Sequence, residues 1–137
     1  MDFVVDANIL FAALIKKGIT AELLLNDDFH LFAPELMLEE FLKHKEEILR
    51  KTKRPEKDFI DIFRALESII TIVPIEEFEG FFEEAETVCP DKDDALYFAL
   101  ALKLNCSVWS NENKLKEQKK IAVYSTGDLV KIFYKQK

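Results

Sequence analysis

Apolar residues along this chain fall into two rhythms, short unbroken runs and longer stretches that repeat every three or four positions. Phe3-Val4-Val5 is a β-branched run that ends abruptly at Asp6, and it predicts a buried strand. From Asn8 to Lys17, Ile9, Leu10, Ala13 and Leu14 recur at helical spacing until Gly18 stops them. Thr20 is placed to cap a short helix through Leu25, and His30 to Ala33 is a second strand candidate. Pro34 opens a helix from Glu35 to about Lys51, with Leu38, Phe41, Leu42 and Leu49 as its apolar members. Lys53-Arg54-Pro55 is a turn. Pro55 starts another helix with Phe59, Ile62, Phe63 and Leu66 on one face. Ile69 to Val73 is a β-branched run closed by Pro74. Glu76 to Thr87 predicts an acidic amphipathic helix, and Asp93 to Lys103 a nearly all-apolar helix begun by Asp residues, the preferred capping type. Ser107-Val108-Trp109 is a third core strand. A short helix after Ser110, a strand from Ile121 to Tyr124 and a last helix from Gly127 to Tyr134 complete the pattern.

Short apolar strands alternating with longer helices imply an α/β fold. The expectation is a three-layer α/β/α arrangement with a central parallel sheet of about four to five strands. No repeat, low-complexity tract or linker divides residues 1–137, so a single domain is expected. In open parallel sheets, ligands bind beyond the carboxyl ends of the strands. Asp6 and the residues after Trp109 should therefore meet at one rim.

Composition narrows the class. With 12 Phe, 3 Gly and 4 Pro in 137 residues, the chain is rich in packing residues and poor in breakers. Cys89 and Cys106 lie in different segments among apolar neighbours, with no metal-type spacing, and fit small buried residues in a reducing compartment. No signal peptide is visible at Met1-Asp2-Phe3, and no apolar stretch approaches a membrane span, so a cytoplasmic location is expected. The net charge of −7 argues at first against a nucleic-acid partner, but it averages over unlike segments. Glu76 to Asp94 holds nine acids and one base, whereas Lys43 to Lys57 holds seven Lys/Arg against three Glu, and Lys114 to Lys120 four Lys against one Glu. Such a chain suits a protein that gathers metal ions while holding a phosphate backbone. It equally suits solvated, salt-bridged helices.

The acids carry the chemical interest. Asp6 ends a buried strand, where a carboxylate is costly unless it pairs, binds metal, reaches solvent or caps the helix that follows. Glu39 and Glu40 lie on a helix whose expected core face includes Leu36 and Leu42, and alone they fit solvated side chains. Asp91, Asp93 and Asp94 crowd one helix start. Capping accounts for one of the three, but three acids in four positions repel one another unless a cation intervenes. Glu112 follows a core strand through Ser110-Asn111, at the expected rim. Together these positions form an all-oxygen set of the kind that suits Mg²⁺ or Mn²⁺. His30 and His44 are isolated, so no Cys/His set points to zinc. The chain lacks GxGxxG and GxxxxGK[ST], which argues against a dinucleotide enzyme or an NTPase, and no Ser-His-Asp set stands out.

Four of these segments resemble, in order, the motifs of the PIN-domain family. Val4-Val5-Asp6-Ala7-Asn8-Ile9-Leu10 is similar to the opening in which a strand delivers the first acid and a polar residue follows two positions later. Pro34-Glu35-Leu36-Met37-Leu38-Glu39-Glu40-Phe41 is similar to the second motif, an acid before an apolar residue on a helix. Asp94-Ala95-Leu96-Tyr97-Phe98-Ala99-Leu100-Ala101 resembles the third, and Trp109-Ser110-Asn111-Glu112-Asn113-Lys114-Leu115 the fourth, in which Ser or Thr precedes an acid by two positions. Carried over residue by residue, the resemblance implies catalytic acids at Asp6, Glu40, Asp94 and Glu112, with metal held by Asp6, Asp94 and Glu112. It implies supporting roles for Asn8 and Ser110, with Asp91 and Asp93 further out and Asp93 open to capping its helix instead. Glu112 stands where the family more often has Asp, which keeps the charge on a longer arm. Glu39 is the alternative to Glu40; Phe41 directly after Glu40 favours the latter.

The resemblance implies a Mg²⁺- or Mn²⁺-dependent endoribonuclease acting on single-stranded or loop RNA. It also implies a homodimer and an antitoxin partner of the VapC toxin–antitoxin type. Lys51, Lys53 and Arg54 are candidates for RNA-backbone contacts, which position a strand without reading its sequence. Phe29, Phe32 and Tyr97 fit core positions. Two rivals are a PIN-like domain without catalysis that binds RNA or serves assembly, and a phosphate-accepting regulatory domain with its own acidic Mg²⁺ pocket. The second rival needs paired acids after the first strand and an acceptor Asp after a middle one; Asp2 precedes the first strand, and Ile69 to Val73 ends at Pro74.

Overall fold

A computed structural model describes residues 1–15, 18–53, 55–89 and 91–134. Its centre is a five-stranded parallel sheet of β1 (Asp2–Val5), β2 (His30–Pro34), β3 (Ile70–Val73), β4 (Ser107–Trp109) and β5 (Val123–Tyr124), in the order β3-β2-β1-β4-β5. The register pairs Phe3 with Leu31 on one side and with Ser107 on the other. Successive side chains of a strand point to opposite faces. Phe3 and Val5 accordingly enter one apolar cluster and Val4 the other.

Helices cover both faces, giving the three-layer α/β arrangement expected from the pattern. The first cluster is closed by α1 (Ala7–Ile15), α2 (Ile19–Leu24), α3 (Glu35–Lys43), α4 (Lys45–Thr52), α5 (Glu56–Ile69) and α8 (Thr126–Tyr134). The second is closed by α6 (Phe82–Val88) and α7 (Lys92–Leu104). In α7, Ala95, Phe98, Ala99, Leu100 and Ala101 are all buried, so this helix packs almost all round, as its unbroken apolar run predicted. Trp109 is fully buried, donates from Nε1 to Thr126 Oγ1 at 3.1 Å, and meets Phe3 and Phe29 edge-on. Among the described residues, no helix is long and apolar enough to cross a membrane. Cys89 is buried, Cys106 half-buried, and both are free thiols.

Several elements differ from the expected pattern. The helix foreseen from Glu35 to Lys51 breaks at His44 (φ −97°, ψ 11°) into α3 and α4. Met37 and Phe41 are its buried residues. In α4, Ile48 is the buried residue. Leu36 and Leu42 lie on the exposed side rather than on the core face. The acidic helix foreseen from Glu76 to Thr87 starts only at Phe82. Before it, Ile75–Glu77 and Glu79–Phe81 form 3₁₀ turns that pivot on the buried ring of Phe78. Thr20 lies inside α2 rather than capping it, and Gly18 holds the cap position. The last strand shortens to two residues, because Ile121 is held by Gln118, whose side chain bonds both its N–H and its carbonyl. Arg54 lies outside the described residues.

Candidate active site

The strand order sets where a site forms. β1 to β2 to β3 proceeds to one edge, and β4 and β5 then fill the other side of β1. The crevice of such a sheet opens at the carboxyl ends of the two strands flanking this reversal. Here those strands are β1 and β4, and Asp6 and Ser110 directly follow them. The Asp6 N–H donates to the Trp109 carbonyl at 3.3 Å, which fastens the two strand ends together.

Asp6 is 5% exposed, and it is both a helix cap and a hydrogen-bonded partner of its neighbours. Its Oδ1 accepts from Ile9 N at 3.1 Å, so it caps α1. It also accepts from the Ser110 hydroxyl and from the Asn8 backbone. Burial nevertheless pushes its pKa up, the nearby Glu112 charge adds to the rise, and the hydrogen bonds hold back part of it. Ser110 is fully buried; its Oγ accepts from Glu112 N at 3.1 Å. One hydroxyl thus joins the first acid to the backbone of the fourth.

Asp94 lies in the first turn of α7. Its pKa is pushed up to about 6, first by burial and then by the charges of Asp91, Glu112, Asp6 and Asp93. Asp6, Asp94 and Glu112 therefore sense one another although they are far apart in sequence. Asp91 is the cap of α7, its Oδ1 accepting from Asp93 N at 2.9 Å, so the capping role open to Asp93 belongs to Asp91.

Asp6 and Asp94 line a groove of about 660 Å³ together with Glu39, Glu40, Asn8, Tyr97 and Phe11. Glu40 is exposed, with Lys43 Nζ at 3.6 Å and His44 Nε2 at 3.7 Å. Both Glu39 and Glu40 reach the groove, so proximity alone does not separate them. Asn8 lines the groove, and its backbone N–H is what serves Asp6. Glu112 is exposed on the loop after β4, outside that lining.

Tyr97 belongs to the site rather than solely to the core. It lines the groove, its hydroxyl accepts from Ala7 N at 3.3 Å, and its phenol is pushed well above the ordinary range, mainly by burial and also by Asp6, Asp94 and Glu40. Its position three residues after Asp94, on the same face of α7, is the sequence signal that could have found it. The cations that line the groove are Lys43 and Lys92, with His44. Lys51 instead pairs with Glu47 at 3.0 Å, and Lys53 ends α4 in the left-handed conformation (φ 54°).

Among the described residues, no three His, Cys, Asp or Glu side chains are grouped so as to hold a metal ion as they stand. The donor set still fits a hard divalent cation. Its atoms are carboxylate oxygens, and after burial the raised proton affinity of Asp6 comes from Glu112, and that of Asp94 from Asp91, Glu112, Asp6 and Asp93. A cation offsets that repulsion.

A family profile described as PIN domain matches residues 4–123. No curated protein sequence matches the chain. Among solved structures, the chain is similar to VapBC2 from Rickettsia felis, crystallised on a DNA fragment from its promoter. The two share 18% identity at a TM-score of 0.70, over 91% of this chain and 98% of that one. It is also similar to a toxin–antitoxin complex from Klebsiella pneumoniae (13% identity, TM-score 0.68, 90% and 97% covered). A third similar structure is PAE2754 from Pyrobaculum aerophilum (15% identity, TM-score 0.64, 99% and 91% covered).

Proposed function

The chain belongs to the PIN-domain family, and from that premise we propose that it is a metal-dependent ribonuclease that hydrolyses phosphodiester bonds within RNA. The observation that carries this reading is the electrostatic coupling of Asp6, Asp94 and Glu112 at the reversal point of the sheet, with Glu40 lining the same groove as the first two. A carboxylate in a cleft whose proton affinity is raised by burial and by specific charged neighbours is a candidate functional group.

Asp6, Asp94 and Glu112 would hold Mg²⁺ or Mn²⁺, and Glu40 would assist. When bound, such an ion makes water more acidic and offsets charge on a phosphate. The remaining work falls to the chain itself. Ile9 N, Asn8 N and the Ser110 hydroxyl fix the Asp6 carboxylate in orientation. Ser110 also sets the backbone of Glu112. Tyr97 braces the start of α1 against α7 through its hydroxyl, which accepts from Ala7 N. Lys43 and Lys92 supply cations along the groove for the RNA backbone.

Two of the similar structures are toxin–antitoxin complexes. They support a role as the toxin of such a pair, with a homodimer and an antitoxin that blocks the groove. Co-expression with the neighbouring reading frame and light scattering of the purified assembly test both. The non-catalytic reading, an RNA-binding or assembly module, draws on the exposed position of Glu112 and the ungrouped carboxylates.

The deciding experiment is cleavage of a mixed structured and single-stranded RNA pool with Mn²⁺, Mg²⁺ or EDTA. Wild type is compared with Asp6→Asn and Asp94→Asn. Metal-dependent cleavage lost in both folded variants is expected. No cleavage by wild type with either metal, or equal cleavage by all three proteins, refutes the nuclease reading.

A further inference from the structure

Tyr97 stands one turn after Asp94 on α7, half-buried in the wall of the groove that Asp6, Asp94 and Glu40 also line. Its hydroxyl oxygen accepts from Ala7 N at 3.3 Å, at the head of α1 and directly after Asp6. A phenol hydroxyl can donate as well as accept. Among the described residues this one makes no second hydrogen bond, so its own proton is unspent. The nearby carboxylates have other partners: Asp6 is served by Ser110, Ile9 N and Asn8 N, and Glu40 lies against Lys43 and His44. Asp6, Asp94 and Glu40 are nonetheless close enough for their charges to add to burial in holding the phenol well above its ordinary range. It is therefore a standing donor at neutral pH.

The groove beside Tyr97 thus offers a neutral donor among carboxylates that, when ionised, only accept. A phosphate oxygen is charged and only accepts, so it suits the donor but is repelled by the acids unless a cation lies between. A hydroxyl suits both, accepting from the phenol while donating to a carboxylate. In a nucleic-acid strand the group of that kind beside each phosphate is the ribose 2′-hydroxyl, which distinguishes RNA from DNA. We propose that Tyr97 donates to the 2′-hydroxyl of a nucleotide at the bond to be cut, which donates in turn to a carboxylate of the groove, so that Tyr97 sets a preference for RNA over DNA. The proposal rests on the ribonuclease reading and adds to it a residue that touches the sugar. A site built to hydrogen-bond a hydroxyl discriminates against the analogue that lacks it, because the site's own polar group is then left unpaired.

The first test is a cycle on the full chain, wild type against Tyr97→Phe, in Mn²⁺. The substrate is an RNA whose nucleotides on either side of the cleaved bond are made 2′-deoxy one at a time. Wild type is expected to lose about tenfold in kcat/KM at one of those positions, the scale of one neutral hydrogen bond. Tyr97→Phe is expected to lose about tenfold on the all-ribose strand and nothing further at that position. The unpaired Ala7 N of the variant affects both strands alike and cancels in the cycle. Equal deoxy effects in wild type and variant at both positions overturn the proposal, because a structural tyrosine, or one that holds water, behaves that way. A deoxy strand that is not cut at all also overturns it, since the 2′-oxygen is then the attacking group. The second test needs neither metal nor cleavage. The chain's tyrosines are Tyr97, Tyr124 and Tyr134, so in a tyrosine-labelled chain the ¹³Cζ resonance of Tyr97 is identified by its loss in Tyr97→Phe. Titration in EDTA uses the four ribonucleosides, which carry no phosphate for the acids to repel. At least one is expected to move that resonance saturably, and its 2′-deoxy counterpart to bind severalfold more weakly. No movement, or equal affinities for the two sugars, overturns the proposal. Metal-dependent cleavage with the same deoxy effect in both proteins removes the sugar contact and leaves the nuclease. Ribonucleosides preferred at Tyr97 by a chain that cleaves nothing keep the contact and remove the nuclease.

Discussion

Replacing Asp94 with Asn should stabilise the free protein at neutral pH while ending its activity. The Asp94 carboxyl is carried from an ordinary pKa of 3.8 to about 6, by burial first and by four neighbouring acids after it. Unscreened, that difference in proton affinity corresponds to about 3 kcal/mol. Asp94 is partly open to solvent, and the N-terminus of α7 favours its charged form, so about 1 kcal/mol remains. The sign follows from linkage. The folded pKa lies above the unfolded one, so the favourable contribution is full below about pH 4 and is lost as pH rises through about 6. Asn has no such titration. Thermal unfolding in EDTA should therefore put Asp94→Asn about 3–5 °C above wild type at pH 7.5, the shift that about 1 kcal/mol gives a chain of this length. At pH 4 the two should melt together. Saturating Mn²⁺ should reverse the order at pH 7.5, because wild type gains binding free energy, about 2.7 kcal/mol at a hundredfold excess over Kd, and the variant does not. A variant less stable than wild type at pH 7.5 in EDTA, or a difference that is the same at both pH values, refutes the claim that repulsion and burial dominate at this carboxyl.

Three further outcomes follow from the same geometry. Ser110→Ala removes a fully buried hydroxyl that serves both Asp6 and Glu112 N; it should cost about 1–3 kcal/mol in urea unfolding and move the Asp6 carboxyl resonance to titrate at higher pH. Tyr97→Phe leaves Ala7 N without its acceptor, so a loss of about 1 kcal/mol is expected, and unaltered stability would show that this N–H is satisfied otherwise. Asp128, held down to about 2 mainly by Lys116 and by Ser125 N, contributes stability above the ordinary carboxyl range and loses it as pH falls through about 2. Asp128→Asn should therefore lower the melting temperature at pH 6 and converge with wild type near pH 2.

The sheet was legible because its strands are buried on both faces. Runs such as Phe3-Val4-Val5 and Ser107-Val108-Trp109 have no other stable use in a chain of this length, and each became a strand. Helix continuity was less legible, since it depends on what each face meets. Nothing in the spacing of Phe41 and Leu49 tells whether the intervening turn enters the core. The helix breaks at His44, and Ile48 of α4 enters the same core cluster as Phe41 of α3. The stretch from Glu76 failed for a related reason, as burying Phe78 requires a tight turn that a continuous helix does not provide.

At the site, residues attached to strand ends and helix starts were the ones that sequence could place. Asp6 and Ser110 follow β1 and β4, Asp94 opens α7, and the parallel sheet brings these termini to one rim whatever the loops do. Glu39 and Glu40 stayed unresolved because they sit on the solvent side of α3, where neighbours in sequence both reach the groove. The cations show the limit most clearly. The basic run from Lys43 to Lys57 suggested Lys51, Lys53 and Arg54, its densest part, and charge density along a chain does not tell which side chains face the groove. Lys51 pairs with Glu47 and Lys43 with Glu40, and among the described residues of that run Lys43, eight residues earlier, is the one that lines the groove. Lys92, a single base among nine acids, joins it there because the first turn of α7 carries it to the rim alongside Asp94. A lone cation inside an acidic stretch thus reaches the rim together with the carboxylates that follow it, because α7 begins there and carries them as one turn.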